Sequence, residues 1–208
     1  MDRVDDRLFL AVNSFARHTP WLHDAATAYA KYGVVLFALA LGCGAVMARG
    51  RSAQAMAAAL WAPLGALLAL AANQPIGNAI AEQRPYVAHP TALLLVAPTT
   101  DFSFPSDHAV VAGAVAAGIL AYDRRLGWGT AVAALLMAAD RVYVGAHYPG
   151  DAVAGLTLGG SAAWLSWLTV ARPLTWLVTW LRSTRLRRLL LSARRRSALS
   201  HFAAPRRM

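Results

Sequence analysis

Two uninterrupted apolar runs decide the class of this protein: VVLFALALGCGAVM (residues 34–47) and AMAAALWAPLGALLALAA (residues 55–72). Neither run contains a charged residue, whereas an amphipathic helix of a water-soluble protein carries charged side chains on its exposed face. Charge-free runs of this length are typical of helices surrounded by lipid. The sequence therefore predicts an integral membrane protein.

The composition of the whole chain excludes two other classes of protein. Of its 208 residues, 58% are apolar and only 14% are charged. A chain this apolar cannot remain solvated, which excludes intrinsic disorder. The single cysteine, Cys43, has no partner in the chain, which excludes a disulfide-stabilised scaffold. The length suits one domain.

The positive charge is concentrated at the C-terminal end. Residues 172–208 contain ten arginines and no acidic residue, so residues 1–171 are neutral overall. A basic tail can bind nucleic acid or anionic lipid. Because this one directly follows a membrane helix and contains leucines and tryptophans, we interpret it as a cytoplasmic anchor on anionic lipid headgroups, with no nucleic-acid partner. We therefore divide the chain into a membrane domain (1–171) and a basic tail (172–208).

The apolar periodicity predicts an all-α membrane bundle of about five transmembrane helices. The N-terminal segment is too acidic for a signal peptide, and apolar residues at helical spacing predict an interfacial helix at about 5–17 instead. The predicted spans are residues 22–48, 53–80, 107–122, 127–145 and 151–171.

The distribution of arginines orients these spans. Arg49 and Arg51 join the first two spans, Arg124 and Arg125 join the third and fourth, and the basic tail follows the fifth. The positive-inside rule places all of them in the cytoplasm of a bacterial plasma-membrane protein. The 81–106 loop and the 146–151 turn are then extracytoplasmic.

Three clusters of polar residues lie on that predicted outer face. The first, AEQRPY (81–86), contains Arg84, which taken alone is most simply a headgroup anchor. The second, FSFPSDH (102–108), precedes an apolar helix, and a helix N-cap explains Ser106 and Asp107 but not His108. Free amide groups at such a helix start also attract phosphate.

The third cluster, DRVYVGAHYPGD (140–151), brackets a tight turn between two spans. If Asp151 begins the fifth span, its carboxylate can contact the imidazole of His147 and leave one ring nitrogen as a nucleophile. A structural role for both residues, as an N-cap and an interfacial polar group, is equally compatible with this cluster alone.

Together the clusters favour phosphoryl transfer. Ionisable groups at membrane depth are costly and are functional candidates by default. Arg84 and Arg141 provide planar donors for phosphate oxygens, and the two histidines provide a nucleophile and a proton donor. No set of residues has the spacing of a metal site, so the sequence indicates metal-independent chemistry through a phosphohistidine, without a cofactor.

The three clusters resemble the signature of the type 2 phosphatidic acid phosphatase superfamily, which reads Lys-x6-Arg-Pro, Pro-Ser-x-His and Ser-Arg-x5-His-x3-Asp. Arg84-Pro85, Pro105-Ser106-Asp107-His108 and the set Arg141, His147 and Asp151 match it, with Asp140 in the serine position and Asp107 in the usual glycine position. The amino-acid sequence of these motifs is most similar to that of bacterial undecaprenyl-diphosphatases of the bacitracin-resistance type, and the resemblance covers about residues 73–160.

The resemblance implies a role for each matching residue. His147 would attack phosphorus, Asp151 would orient His147, and His108 would protonate the leaving oxygen. Arg84, Arg141, Ser106 and Asp107 would form the site that binds the substrate phosphate.

One family residue is missing, because Gly77 occupies the position of the signature lysine. Either the pocket works with one cation fewer, or Lys31, the single lysine of the chain, reaches the site from the first span. Snorkelling of Lys31 to the outer surface is the interpretation that we favour.

The resulting expectation is a membrane lipid phosphatase that hydrolyses a polyprenyl diphosphate, such as undecaprenyl diphosphate, to the monophosphate. A phosphatidic acid or phosphatidylglycerophosphate phosphatase is the second interpretation, since the motifs bind the phosphoryl group and not the lipid tail. A non-catalytic lipid-phosphate binder or transporter is the third. The sequence does not indicate an oligomeric state.

Overall fold

The computed structural model describes residues 3–184, and this part of the chain is entirely helical apart from its loops. The predicted all-α class is confirmed. A 3₁₀ turn at Pro20–Leu22 precedes the second helix. The seven helices of the described chain are α1 (Arg3–His18), α2 (His23–Ala48), α3 (Ala53–Ile80), α4 (Pro85–Ala88), α5 (Asp107–Leu120), α6 (Arg124–Tyr143) and α7 (Pro149–Ser183).

Three long apolar segments of the described chain can cross a membrane: α2 with its preceding turn, α3, and α7. α5 has 14 residues, a length of about 21 Å, and is apolar on all sides beyond Asp107 and His108 in its first turn. It is enclosed by α3, α6 and α7, as expected for a helix that is apolar all round. The total of five membrane crossings therefore stays a prediction.

Close packing of α5 against α7 fixes the relative position of their first turns, where two of the polar clusters lie. Gly159 of α7 lies directly against the backbone of Val110, so any side chain at this position would collide with it. Gly155 lies in the same way against the carbonyl oxygen of Ser106. As a result, the Ser106 amide donates a hydrogen bond to the Asp151 carbonyl oxygen at 3.2 Å, which joins the first turns of α5 and α7.

α7 continues beyond the predicted end of the last span at residue 171 and ends at Ser183. Val178, in this extension, is buried against Ala48 and Met56. Arg182 donates hydrogen bonds to the carbonyl oxygens of Arg51 and Ser52, each at 3.3 Å. Packing of these apolar residues keeps the helix in contact with the bundle, so the boundary predicted at 172 lies inside α7. The rest of the predicted basic tail lies outside the described residues.

The basic loops meet at one end of the bundle. Arg51, between α2 and α3, forms a 2.7 Å ion pair with Asp123, the residue that caps α6. The end of α3, the start of α5, the end of α6 and the start of α7 lie at the opposite end, because successive helices run antiparallel. The structure thus separates the basic loops from the three polar clusters.

α1 packs across the end of the bundle that carries the three polar clusters. Phe9 and Ala16 are buried against the bundle, whereas Leu8 and Phe15 remain exposed and apolar. Asn13 exchanges two hydrogen bonds with the backbone of Leu93, and Asp6 pairs with His89 at 3.0 Å. α1 therefore fastens the long loop between α4 and α5 in addition to presenting an apolar face.

Candidate active site

The structure brings the three polar clusters to one small cavity. Arg84 precedes α4, His108 lies in the first turn of α5, Arg141 lies in the last turn of α6, and His147 lies in the turn before α7. These four residues and Asp107 line a cavity of about 100 Å³. The two histidine rings therefore share one end of the bundle, as a common phosphate site requires.

The ring of His147 is held between an acceptor and a donor. Its Nδ1 atom lies 2.8 Å from the carbonyl oxygen of Ser103, and its Nε2 atom lies 3.1 Å from Nη1 of Arg84. A carbonyl oxygen can only accept a hydrogen bond and a guanidinium can only donate one. We therefore assign the proton to Nδ1, which leaves a lone pair on Nε2 at the cavity.

Asp151 lies behind this ring, but it is not the closest partner of Nδ1. Its Oδ2 atom is 3.4 Å from Nδ1. The same oxygen accepts a hydrogen bond from the Ser103 hydroxyl at 2.5 Å and another from the Tyr148 amide at 2.9 Å. Because Asp151 also caps the first turn of α7, its carboxylate is drawn toward the helix start, and Ser103 bridges it to the histidine.

Sequence reasoning did not assign a role to Ser103. The residue is completely buried, and its amide is bonded to the Glu82 carbonyl oxygen at 2.9 Å. Its position inside the FSFPSDH cluster could have indicated a role for its hydroxyl group in the site. Its backbone carbonyl, which accepts the proton of His147, carries no sequence signal, since every residue has one.

An ion pair and several hydrogen bonds hold the guanidinium group of Arg84 in place. Its Nη2 atom pairs with Asp101 Oδ2 at 3.0 Å and its Nε atom donates to the Asp101 carbonyl oxygen at 3.2 Å. Nη1 donates to the Ala146 carbonyl oxygen at 3.0 Å, in addition to facing His147. This planar group is therefore positioned before any substrate arrives.

Arg141 and Ser106 are less fully bonded. Among residues 3–184, the buried Nε of Arg141 and the buried hydroxyl of Ser106 have no hydrogen-bond partner. Ser106 occupies the N-cap position of α5, yet its side chain does not cap the helix, so the capping explanation for this hydroxyl is wrong. Arg141 lines the cavity itself, and Ser106 immediately precedes Asp107, which also lines it.

The Asp107 carboxylate is bonded to α3. Asn73 donates to Oδ1 at 2.6 Å, and Gln74 donates to the same oxygen at 3.2 Å. Asn73 also donates to the Pro105 carbonyl oxygen at 3.0 Å. Since these amides bind the carboxylate, the side chain of Asp107 is not free to bind phosphate by donating a hydrogen bond, although the residue lines the cavity.

A second, polar cavity of about 230 Å³ adjoins the first and shares Arg84, Asp107 and His147 with it. Gly77, at the position of the missing lysine, lines this cavity beside Asn78. Lys31 lines neither cavity; it is exposed, with its ammonium 5.1 Å from the ring centroid of Tyr32. The lysine of this chain thus lies away from the site, in agreement with the snorkelling interpretation.

The surroundings of His147 keep its ring neutral. Burial lowers the pKa of His147, and the positive charges of Arg84 and Arg141 lower it further, while Asp151 acts in the opposite direction. The residue as a whole is only 2% exposed. In the neutral form of this enclosed imidazole Nε2 keeps its lone pair, which accepts a hydrogen bond from Arg84 and is the atom suited to nucleophilic attack.

Glu82 is a second residue that the sequence analysis left without a role. Burial, followed by the negative charge of Asp151, raises the pKa of Glu82 to about 7. The Glu82 side chain therefore adds a titrating carboxyl group next to the carboxylate that supports His147. Among residues 3–184, no group of three or more His, Cys, Asp and Glu side chains is arranged to hold a metal ion.

Comparisons with known proteins identify the family of this chain. The sequence model of the PAP2 superfamily matches residues 58–184. The chain is 32% identical to undecaprenyl-diphosphatase BcrC of Bacillus subtilis over 151 residues, which are 73% of this chain and 76% of that protein. It is 39% identical to an undecaprenyl-diphosphatase of Sulfolobus acidocaldarius over 93 residues, which are 44% of this chain and 43% of that protein.

A solved structure has the same fold. It is the crystal structure of a transmembrane PAP2-type phosphatidylglycerolphosphate phosphatase from Bacillus subtilis, with a TM-score of 0.61 and 22% sequence identity. The superposition covers 82% of this chain and 88% of the other. This likeness supports a helical, multi-pass membrane architecture.

Proposed function

This chain belongs to the PAP2 superfamily, and we propose that it hydrolyses a polyprenyl diphosphate to the monophosphate through a phosphohistidine intermediate. The observation that carries the proposal is the position of His147, with its Nδ1 bonded to Ser103 and its Nε2 directed at the cavity that Arg84 and His108 also line.

In the first half of the reaction, Nε2 of His147 attacks the terminal phosphorus. The bond between that phosphorus and the bridging oxygen breaks, and His108 donates a proton to the departing oxygen. The product is polyprenyl monophosphate, and the phosphoryl group stays on His147. Asp151 and Ser103 stabilise the positive charge that develops on the ring.

In the second half, His108 accepts a proton from water as the water oxygen attacks the phosphohistidine. The P–N bond breaks, which releases inorganic phosphate and regenerates neutral His147. Arg84 and Arg141 bind the non-bridging oxygens throughout, together with the Ser106 hydroxyl and the first amides of α5. Their positive charges stabilise the transferring group.

The choice of a polyprenyl diphosphate rests on the similarity to BcrC, which extends over most of both chains. The residues named above contact the phosphoryl group, not the lipid tail. Phosphatidic acid and phosphatidylglycerophosphate are therefore the substrates against which this choice has to be tested.

The orientation in the membrane is part of the proposal. With Arg49, Arg51, Arg124 and Arg125 in the cytoplasm, the active site faces the exterior and the C-terminus is cytoplasmic. The arginines that follow Arg182 would bind anionic headgroups of the inner leaflet.

The decisive experiment measures phosphate release by the detergent-purified full chain from three lipids, namely undecaprenyl diphosphate, phosphatidic acid and phosphatidylglycerophosphate. The wild type, His147→Ala and His18→Ala are compared, since His18 is an exposed histidine of α1. We expect the fastest release from the diphosphate, loss with His147→Ala, no loss with His18→Ala, and full activity in EDTA.

A different experimental result would contradict each part of the proposal. Release that survives His147→Ala would refute the phosphohistidine, and activity abolished by EDTA would refute metal-independent chemistry. No release from any lipid would favour a non-catalytic binder. Trapping of labelled phosphate on His147 after acid-free quenching would support the intermediate directly.

A further inference from the structure

A groove of about 650 Å³ lies between α1, α2 and α6. Its lining is almost entirely apolar and includes Phe15, Leu22 and Leu136. Cavities of this size and character are typical of sites for small molecules or lipids. None of the residues assigned to phosphoryl transfer lines it.

One charged side chain interrupts this apolar lining. Asp140, in the last turn of α6, lines the groove and is 9% exposed. Its Oδ2 atom is buried and has no hydrogen-bond partner among residues 3–184. No ion pair of the described chain involves Asp140 either.

Two tyrosine hydroxyls belong to the lining of the groove, and each is bonded to a residue other than Asp140. The Tyr29 hydroxyl donates to the Ala133 carbonyl oxygen at 2.7 Å. The Tyr143 hydroxyl is bonded to Thr19, both to its side chain and to its carbonyl oxygen. The carboxylate therefore lacks a donor that the protein could supply from these two residues.

The neighbouring Arg141 acts on Asp140 electrostatically, but no ion pair of residues 3–184 joins the two. A buried carboxylate that lacks a hydrogen-bond donor is costly, and such groups normally have a partner. We propose that the groove binds a membrane amphiphile whose headgroup carries a primary ammonium. The hydrocarbon part would lie along the apolar lining, and the ammonium would donate to Asp140. A cation with N–H groups provides both the opposite charge and the missing hydrogen bond.

The location of Asp140 fits a headgroup. It lies at the same end of the bundle as the exposed apolar residues of α1, Leu8 and Phe15. An interfacial helix marks the depth at which lipid headgroups begin. An ammonium at this level can reach Asp140 while the chains extend toward α2 and the middle of α6.

The groove is separate from the phosphate cavity. Arg141 lines the cavity with His147, whereas its neighbour Asp140 lines the groove, so the two residues face different sides of α6. The inference therefore does not depend on the reaction proposed above, and a failure of one leaves the other intact.

The test measures the midpoint of thermal unfolding of the full chain in a polyoxyethylene detergent, followed by tryptophan fluorescence. Phosphatidylethanolamine, with a primary ammonium, is compared with phosphatidylcholine of the same acyl chains, whose quaternary ammonium has no N–H. Dodecylammonium and dodecyltrimethylammonium form a second pair and distinguish a two-chain lipid from a simple amine. We expect the primary ammonium to raise the midpoint by about 3 °C more than its quaternary counterpart.

Two kinds of variant connect this shift to the groove. Asp140→Asn should abolish the difference between the two phospholipids. Ala139→Trp fills the groove without altering the carboxylate and should do the same, whereas Val132→Trp, at an exposed position of α6 outside the lining, should keep it. If Asp140→Asn does not fold, the comparison of Ala139→Trp with Val132→Trp shows by itself whether the primary-ammonium effect arises in the groove.

Three results would overturn the proposal. The first is equal stabilisation of the wild type by both phospholipids. The second is a primary-ammonium effect that persists in Asp140→Asn. The third is the same effect in Ala139→Trp and Val132→Trp.

Discussion

His147 Nδ1 lies 2.8 Å from the carbonyl oxygen of Ser103. This contact, rather than a carboxylate contact, assigns the ring tautomer, because the carbonyl can only accept the proton. The hydroxyl of the same serine donates to Asp151, so one residue connects His147 to Asp151. Ser103 therefore contributes to the site through its backbone and its side chain independently.

The two contributions can be separated by substituting Ser103 with alanine. The backbone carbonyl remains in Ser103→Ala, but the hydrogen bond to the ionised carboxylate is lost, and such bonds contribute about 1.5–3 kcal/mol. We expect kcat to fall about tenfold with KM nearly unchanged, because the charge on His147 develops during the reaction. Steady-state kinetics on the preferred lipid measures both constants.

Two further variants serve as controls for this prediction. Ser103→Thr should restore most of the lost kcat, since it restores a hydroxyl group. Ser183→Ala removes a hydroxyl at the other end of the bundle and should have no effect. An unaltered kcat in Ser103→Ala would mean that the serine hydroxyl does not support the reaction.

Arg84→Lys tests the value of a planar, pre-positioned cation. Lysine retains the charge but cannot contact Asp101, Ala146 and His147 at the same time. We expect kcat/KM to fall by about 10²–10³, as is usual when a donor to transition-state charge is lost. The matched control is Arg51→Lys, in an ion pair at the opposite end, for which activity within about twofold of the wild type is expected.

Gly77→Lys tests the cavity at the position of the missing family lysine. A Cβ atom at this position would lie 3.1 Å from the Phe104 carbonyl oxygen, so a small local shift is required. The adjoining cavity has room for the rest of the chain, and the new cation should lower the inhibition constant of inorganic phosphate by about fivefold at low salt.

Gly77→Met separates charge from size in this experiment, because its chain is of similar length but neutral. If methionine and lysine change the inhibition constant equally, the added charge does not reach the phosphate. Loss of the lysine effect in high salt is a further expected result.

Glu82 should make the stability of the protein dependent on pH between its ordinary pKa of 4.5 and its folded pKa of about 7. Its pKa is raised to about 7 in the folded chain, so the folded state retains a proton that the unfolded chain has already released. Stability therefore falls as the pH rises toward 7 and levels off above it. We expect the unfolding midpoint of the wild type to decrease relative to that of Glu82→Gln over this interval.

The measurement is a series of thermal scans of both proteins in the same detergent at closely spaced pH values. The difference between the two midpoints is the quantity of interest, since titration of all other groups is common to both. A constant difference between pH 4.5 and pH 7 would show that Glu82 does not retain its proton in the folded protein.

The sequence by itself determined the class of the fold, and it predicted which residues carry the chemistry. Charge-free runs can be stable as helices in lipid regardless of their neighbours, which is why residues 34–47 and 55–72 were sufficient to predict a membrane bundle. Arg84, His108, Arg141 and His147 were identifiable because each combines an expensive ionisable group with a position at a helix end.

The tertiary structure alone decided how these residues are supported. The acceptor of the His147 proton is a backbone carbonyl 44 positions earlier, and Asp107 is bound by Asn73, 34 positions earlier. Contacts over such separations leave no local periodicity, and a carbonyl group has no side-chain identity to read. Likewise, α7 extends to Ser183 because its side chains pack on α2 and α3, an interaction that the composition of the segment alone cannot reveal.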